Sequence, residues 1–206
     1  MVKNLDMNWK KIIIIFCIIA VLGISLGILY LSKFRDASTQ IPSDVSMETI
    51  YGVGENYSFQ DQTKKIRLLE FIYVNCQDIC PQTTIRMNQL RKMLKDEGVF
   101  GDKVEFITIT IDPKNDTKEI LQSYVKSATG ITSDNEGWIF LRGTEENTKK
   151  VADAFRFMYR DPGNGNFVHS AFTYLVDEDN YLIENFTMGE GFDKDRAFER
   201  IMREIN

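Results

Sequence analysis

Histidine is almost absent from this chain and cysteine is scarce: among 206 residues there is one histidine and there are three cysteines. A site that needs an imidazole therefore has only His169 to draw on. Positive charge is in deficit, with 25 lysines and arginines against 30 aspartates and glutamates, a formal net charge of -5. No cluster of basic residues interleaved with aromatics occurs, which excludes nucleic acid as a partner. Internal repeats and low-complexity tracts are missing as well. The chain is 43% hydrophobic, 27% charged and 12% aromatic. That composition excludes a disordered polymer and leaves room for one globular domain with its own core, plus something extra.

The extra part is a run that lacks charge. From Ile12 to Leu31 no residue is charged across 20 positions, close to the ~20 that a helix needs to cross a hydrocarbon layer. Lys3, Lys10 and Lys11 precede it, while Lys33 and Arg35 follow, a bias that favours a cytoplasmic N-terminus. A cleaved signal peptide is the rival reading. Its apolar stretch is ordinarily ~7–15 residues and leads to a small-x-small site, which is not evident here. Cys17 follows the bulky Phe16, and apolar sequence continues well past it, so it reads as a small hydrophobe in a lipid-facing helix and not as a lipidation site. The expected organisation is a short cytoplasmic segment over 1–11, a transmembrane anchor over 12–31, a polar tether over 32–46 and a globular domain over 47–206. This makes a single-pass protein of the cell membrane with its soluble domain on the extracytoplasmic side.

Within the globular part, Ile66 to Asn75 is rich in branched and aromatic residues, as in a strand buried on both faces. Met87, Leu90, Met93 and Leu94 then recur at helical spacing, with Pro81 opening the helix and Gly98 closing it. Lys103–Ile111 reads as a second buried strand, 116–130 as a helix, 137–143 as a short strand and 144–160 as a helix. His169–Val176 and Tyr181–Thr187 flank a turn, and 193–205 closes the chain as a helix. Alternating units followed by a hairpin imply an α/β fold: a mixed central sheet with helices on both faces. In such sheets, sites gather at the carboxyl ends of central strands. Cys76 stands at one such end and Asp112 at another.

With Cys17 set aside, Cys76 and Cys80 are the only thiols of the soluble part. A disulfide between them would close a very short loop and remove little chain entropy, so a static staple would stabilise little. Reversible or metal-linked chemistry fits the pair better. Cys80 precedes Pro81 at the start of the helix, where free backbone N–H groups and the helix dipole favour a thiolate. His169 lies where a glycine-rich loop enters a strand, and it can approach the cysteines if that strand neighbours the central one. Asp112 ends a buried strand in an Asp-Pro turn; it reads either as a turn-former or as a carboxylate supporting proton movement near the thiols. Asp116 reads as the cap of the next helix.

The segments "CQDICP", "ITIDPKNDT" and "VHSAFTYLVDEDNYLI" resemble, in order and spacing, the Sco/SenC family of membrane-anchored, thioredoxin-like proteins. The resemblance runs from about Leu68 to the C-terminus. Gln77 stands where members often carry proline, and Val168 where aspartate often precedes the histidine. The resemblance implies a thioredoxin-like three-layer fold over 47–206. It also implies copper ligation by Cys76, Cys80 and His169, with Asp112 in a supporting role. The implied task is to help build the dinuclear copper site of cytochrome c oxidase, with that oxidase's copper-binding subunit as partner, alongside other thiol–disulfide or copper carriers. The donor chemistry agrees: thiolates suit Cu(I), imidazole also suits Cu(II), and an open three-ligand site permits handover. Zinc matches the ligand types but lacks a fourth ligand. The competing expectation is a thiol–disulfide oxidoreductase in which Cys76 and Cys80 are redox-active and keep the oxidase's copper-ligand cysteines reduced. A redox sensor using the same switch is a weaker alternative.

Overall fold

The computed structural model describes residues 9–36, 40–59, 64–132 and 137–205. An N-terminal helix, α1 (Trp9–Asp36), forms one unit. It contains the one helix among the described residues that is long and apolar enough to cross a membrane, Ile12–Tyr30, with a mean hydropathy of 3.2. Residues 1–8 of the expected cytoplasmic segment and 37–39 of the expected tether lie outside the described residues.

The second unit runs, in order, β1 (Ser46–Tyr51), β2 (Asn56–Ser58), β3 (Ile66–Ile72), α2 (Ile79–Asp96), β4 (Val104–Thr110), α3 (Lys118–Thr129), β5 (Trp138–Arg142), α4 (Glu145–Ala154), β6 (Tyr159–Arg160), β7 (Val168–His169), β8 (Phe172–Val176), β9 (Leu182–Thr187) and α5 (Lys194–Glu204). β3 and β4 have every residue buried. They pair in parallel from Ile66 opposite Val104 to Ile72 opposite Thr110. β5 continues the parallel set, while β1, β8 and β9 add antiparallel neighbours, giving the strand order β2-β1-β5-β4-β3-β8-β9. Successive side chains alternate between faces. Leu69, Phe71, Ile107 and Ile109 therefore pack with Val151 of α4 on one side. Leu68 and Phe106 pack with Leu90 of α2, Val125 of α3 and Ile201 of α5 on the other. This mixed α/β sheet between helical layers is a thioredoxin-like fold.

Several boundaries differ from the sequence reading, for local physical reasons. α2 starts at Ile79, so Pro81 sits third in the helix; its missing N–H costs nothing in a first turn that has no intrahelical acceptor to serve. α3 is capped by Thr117, whose hydroxyl accepts from Ile120 N, leaving Asp116 free for another task. α4 ends at Ala154 and not near Arg160. Arg156, with a left-handed φ of +54°, closes it: Arg156 N donates to Asp153 O (3.0 Å) and Phe157 N to Ala152 O (2.9 Å), and Phe155 and Phe157 are both buried. Ile41 and Val45, within the expected tether, are buried in the core of the globular unit. The strand expected over 169–176 is split. Ser170 N donates to Met158 O (2.8 Å), drawing His169 into a small β6–β7 ribbon apart from the main sheet.

Glu70, at the centre of β3, is completely buried. The Thr108 hydroxyl donates to its Oε1 (2.8 Å) and receives the Trp138 indole N–H (2.9 Å), while Oε2 has no partner within hydrogen-bond distance among the described residues. Burial raises its pKa to about 8, against the lowering effect of the Thr108 and Thr84 hydroxyls. The unfolded chain releases this proton near the ordinary carboxylate pKa of 4.5, and the folded chain near 8. Between those values the folded state binds more protons, so stability falls as pH rises through this window. In denaturant titrations from pH 5 to pH 9, Glu70→Gln, which keeps shape and an acceptor, is expected to gain stability relative to the native chain as pH rises.

Candidate metal centre

The chain leaves β3 at Ile72 and turns through Tyr73–Asn75 into the start of α2. Cys76 N donates to Tyr73 O (3.1 Å), tightening that turn. Asp116 holds it from the side: its carboxylate accepts from Val74 N (3.2 and 3.3 Å) and from the Thr110 hydroxyl at the end of β4. A second clamp fixes the helix start. The Thr83 hydroxyl donates to Ile79 O (2.7 Å) and accepts from Gly189 N (2.7 Å). Gly189 has φ +71°, and a Cβ there would lie 3.2 Å from Ile79 Cγ2, so this contact calls for glycine.

This scaffold leaves Cys76 half-buried and Cys80 buried, both as free thiols. The β6–β7 ribbon brings His169 in from the other side, so that one donor atom from each of Cys76, Cys80 and His169 lies within 4.8 Å of the others. No other group of three or more ligating side chains with this proximity occurs among the described residues. His169 Nδ1 lies 2.7 Å from Ser170 O. Donation to that carbonyl fixes the tautomer and leaves Nε2 as the ring's free ligating atom. Aromatic walls orient the imidazole. Phe157 stacks on it (5.7 Å, 28°), Tyr73 meets it edge-on (5.9 Å, 85°), and Phe167 packs on Tyr73 (5.2 Å).

The two thiols are unequal. Hydrogen bonding from Cys80 is the main influence holding the Cys76 pKa down, to about 4. Burial opposes it, and His169 and the backbone N–H groups of Asp78 and Cys80 reinforce it. The opening of the helix thus serves Cys76, where the sequence reading gave that benefit to Cys80. The Cys80 thiol is pushed up by its hydrogen bond to Cys76, by burial and by the neighbouring thiolate. Burial disfavours a charged His169, but hydrogen bonds to Cys76 and Ser170 outweigh it and the ring's pKa rises.

Asp112 is not brought into this group. Its carboxylate accepts from the Asn115 side chain (2.9 and 3.0 Å) and from Asn115 N (3.3 Å), closing the turn after β4. The carboxylate that reaches the cysteine loop is Asp116, which the sequence reading assigned to helix capping. Tyr73, Phe157 and Phe167 were also missed. The every-second-residue aromatics at Phe155, Phe157 and Tyr159 were the available signal for Phe157; nothing local marked Asp116. Two consequences follow for the metal-free, reduced chain. Iodoacetamide labelling mapped by peptide mass is expected to modify Cys76 well ahead of Cys80. Its Cys76 rate should stay flat from pH 8 to pH 6 and fall only towards pH 4, as the thiolate is protonated.

A family model described as SCO1/SenC matches residues 46–206. The SCO2-like protein of Rickettsia typhi is 30% identical over 193 residues, covering 87% of this chain and 91% of that protein. Among solved structures, Arabidopsis thaliana ScoI with copper bound superposes with a TM-score of 0.65 at 25% identity, over 80% of this chain and 98% of that one. BsSco, described as having a disulfide switch and as a member of the Sco family of cytochrome c oxidase assembly proteins, gives 0.67 at 24% identity, over 81% and 94%. With the cysteine pair, the histidine and the thioredoxin-like sheet already in place, these matches make the chain a member of the SCO1/SenC family.

Proposed function

We propose that this protein is a copper-binding assembly factor that helps to build the dinuclear copper site of cytochrome c oxidase. In this reading α1 anchors it by a single pass, with residues 1–11 cytoplasmic and the globular domain outside the cytoplasm, and the partner is the oxidase's copper-binding subunit. The observation that carries the proposal is the convergence of two sulfurs and one imidazole within 4.8 Å. The donor set fits the cargo. Thiolates favour Cu(I) and imidazole also serves Cu(II), so Cys76, Cys80 and His169 can hold the ion in either state. Three protein ligands at a half-buried position leave room for an incoming ligand from an acceptor. Copper in a related ScoI and the oxidase-assembly description of BsSco support the same reading. Asp112 supports the site through the turn it shares with Asn115.

The inequality of the thiols favours a second reading, a thiol–disulfide oxidoreductase. The Cys76 thiolate would attack a disulfide of the oxidase subunit to form a mixed disulfide. The Cys80 sulfur would then displace the partner's remaining sulfur as a thiolate, leaving Cys76–Cys80 oxidised and the partner's pair reduced by two electrons. His169 would be dispensable for that exchange.

Copper titration of the reduced full chain in detergent separates the two. One copper per chain with a sulfur-to-copper absorption band is expected. The band should be lost in Cys76→Ser and Cys80→Ser and lost or shifted in His169→Ala. A chain with no such band, or one unchanged in His169→Ala, overturns the carrier reading. Retention of oxidase assembly in His169→Ala, with loss in both cysteine variants, would establish the redox reading.

A further inference from the structure

The β6–β7 ribbon has two faces, and only one is used by the metal centre. Tyr159 pairs with His169, and Arg160 pairs with Val168. Paired residues share a face of a ribbon and successive residues alternate. Tyr159 and His169 therefore point inward, with Phe157 and Phe167 packed against them. Met158, Arg160 and Val168 point the other way.

That outer face is apolar and cationic, on a chain whose net charge is -5. Met158 is 76% exposed and Val168 63%. Arg160 is exposed on this face and Arg156 is exposed in the turn that leads into the ribbon, and among the described residues neither guanidinium has an ion pair or side-chain hydrogen bond. The nearby acids are engaged elsewhere: Asp153 with Lys149 (2.8 Å), and Asp161 Oδ1 with the amides of Gly163 and Gly165 (2.8 and 3.1 Å). Arg156 also carries a backbone cost. Its φ is +54°, in the left-handed region that a long side chain seldom adopts. That turn ends α4, with Phe155 and Phe157 buried on either side of the exposed Arg156.

We propose that this outer face, built from Arg156, Met158, Arg160 and Val168, is the docking surface for the copper acceptor. It fits a protein surface with carboxylates around an apolar centre. The inference rests on the copper-carrier reading and deepens it by naming where the partner sits and with what surface chemistry. Two unpaired arginines steer an acidic partner at long range, and desolvation of Met158 and Val168 supplies short-range contact. A protein is favoured over an anionic lipid surface because Val168 of this face adjoins His169 in the same strand. An occupant seated here touches the strand that carries the imidazole, and only a protein offers ligands to receive the metal.

The test uses the full chain in detergent and, as probe, the soluble copper-binding domain of the oxidase subunit, reduced and metal-free. Two quantities are read: association of the metal-free chain with the probe, and the second-order rate of copper transfer to it from the loaded chain. In Arg156→Glu/Arg160→Glu and in Met158→Asp, copper stoichiometry and the sulfur-to-copper band should match the native chain. Association and transfer should fall about tenfold or more. Native transfer should slow as salt is raised, and Arg156→Lys/Arg160→Lys should recover most of the rate. Unchanged association and transfer in the charge-reversed chain overturns the docking surface and leaves the carrier reading intact. Absence of copper binding in the native chain overturns the carrier reading, and association of the metal-free chain still judges the surface. If the variants lose binding to vesicles containing anionic phospholipid and keep binding to the probe, the face is a membrane surface and the proposal falls.

Discussion

A thiolate held beside a second thiol and an imidazole, half out of water, is the interaction on which the rest of this structure depends. Removing a charge from water is costly, and it persists only where hydrogen bonds replace the lost hydration. Cys76 receives them from Cys80, from His169 and from the amides at the start of α2. Each donor comes from a part of the fold that is itself pinned. Asp116 and Thr110 fix the loop before Cys76, Thr83 and Gly189 fix the helix start, and Phe157 with Tyr73 fixes the imidazole. The result is a set of donor atoms that the fold itself holds near one another.

The two long-range assemblies differ in stiffness of support. Cys76 sits between a strand with every residue buried and an 18-residue helix, and Cys80 lies in the first turn of that helix. His169 sits in a ribbon of two residues per strand, whose inner face is aromatic. Backbone hydrogen bonds to that ribbon are few, so packing of Phe157, Tyr159 and Phe167 does most of the positioning. A ligand carried on the less supported element is the one whose displacement costs least. A site that releases its cargo needs such a ligand, whereas a permanent structural site does not.

Much of this was legible in the sequence because the periodicities are strong. The largely apolar run at Ile66–Ile72, interrupted by Arg67 and Glu70, and the helical spacing of Met87, Leu90 and Leu94 specify their elements without tertiary information. The cysteine pair at a strand-to-helix turn and a lone histidine before a late strand were equally visible. What was not legible depends on distance in sequence. Asp116 and Val74 are 42 residues apart, and an aspartate before Thr-Lys-Glu reads locally as a cap. Asp112 drew attention through its place at a strand end, yet its carboxylate is satisfied by Asn115 three residues on. α4 was read too long because Phe155 and Met158 fit a helix as well as Phe155, Phe157 and Tyr159 fit a strand. The choice between them is made by the core, which takes both Phe155 and Phe157.

The carrier and oxidoreductase readings draw on the same asymmetry and ask different things of it. For electron exchange, a depressed thiolate with a buried second thiol is sufficient: one attacks and the other resolves. Nothing in that sequence of steps needs an imidazole with Nδ1 committed to a backbone carbonyl and both ring faces set by aromatic contacts. For a metal, that commitment has a purpose, because it frees Nε2 and fixes the direction in which it can bind. The ring's raised pKa in the metal-free chain reflects its bond to the Cys76 thiolate. An ion bound between them would take over the thiolate's charge, and the imidazole would then give up its proton and ligate as the neutral base. The work done to orient His169 is therefore better explained by a cargo that binds it than by a disulfide that ignores it.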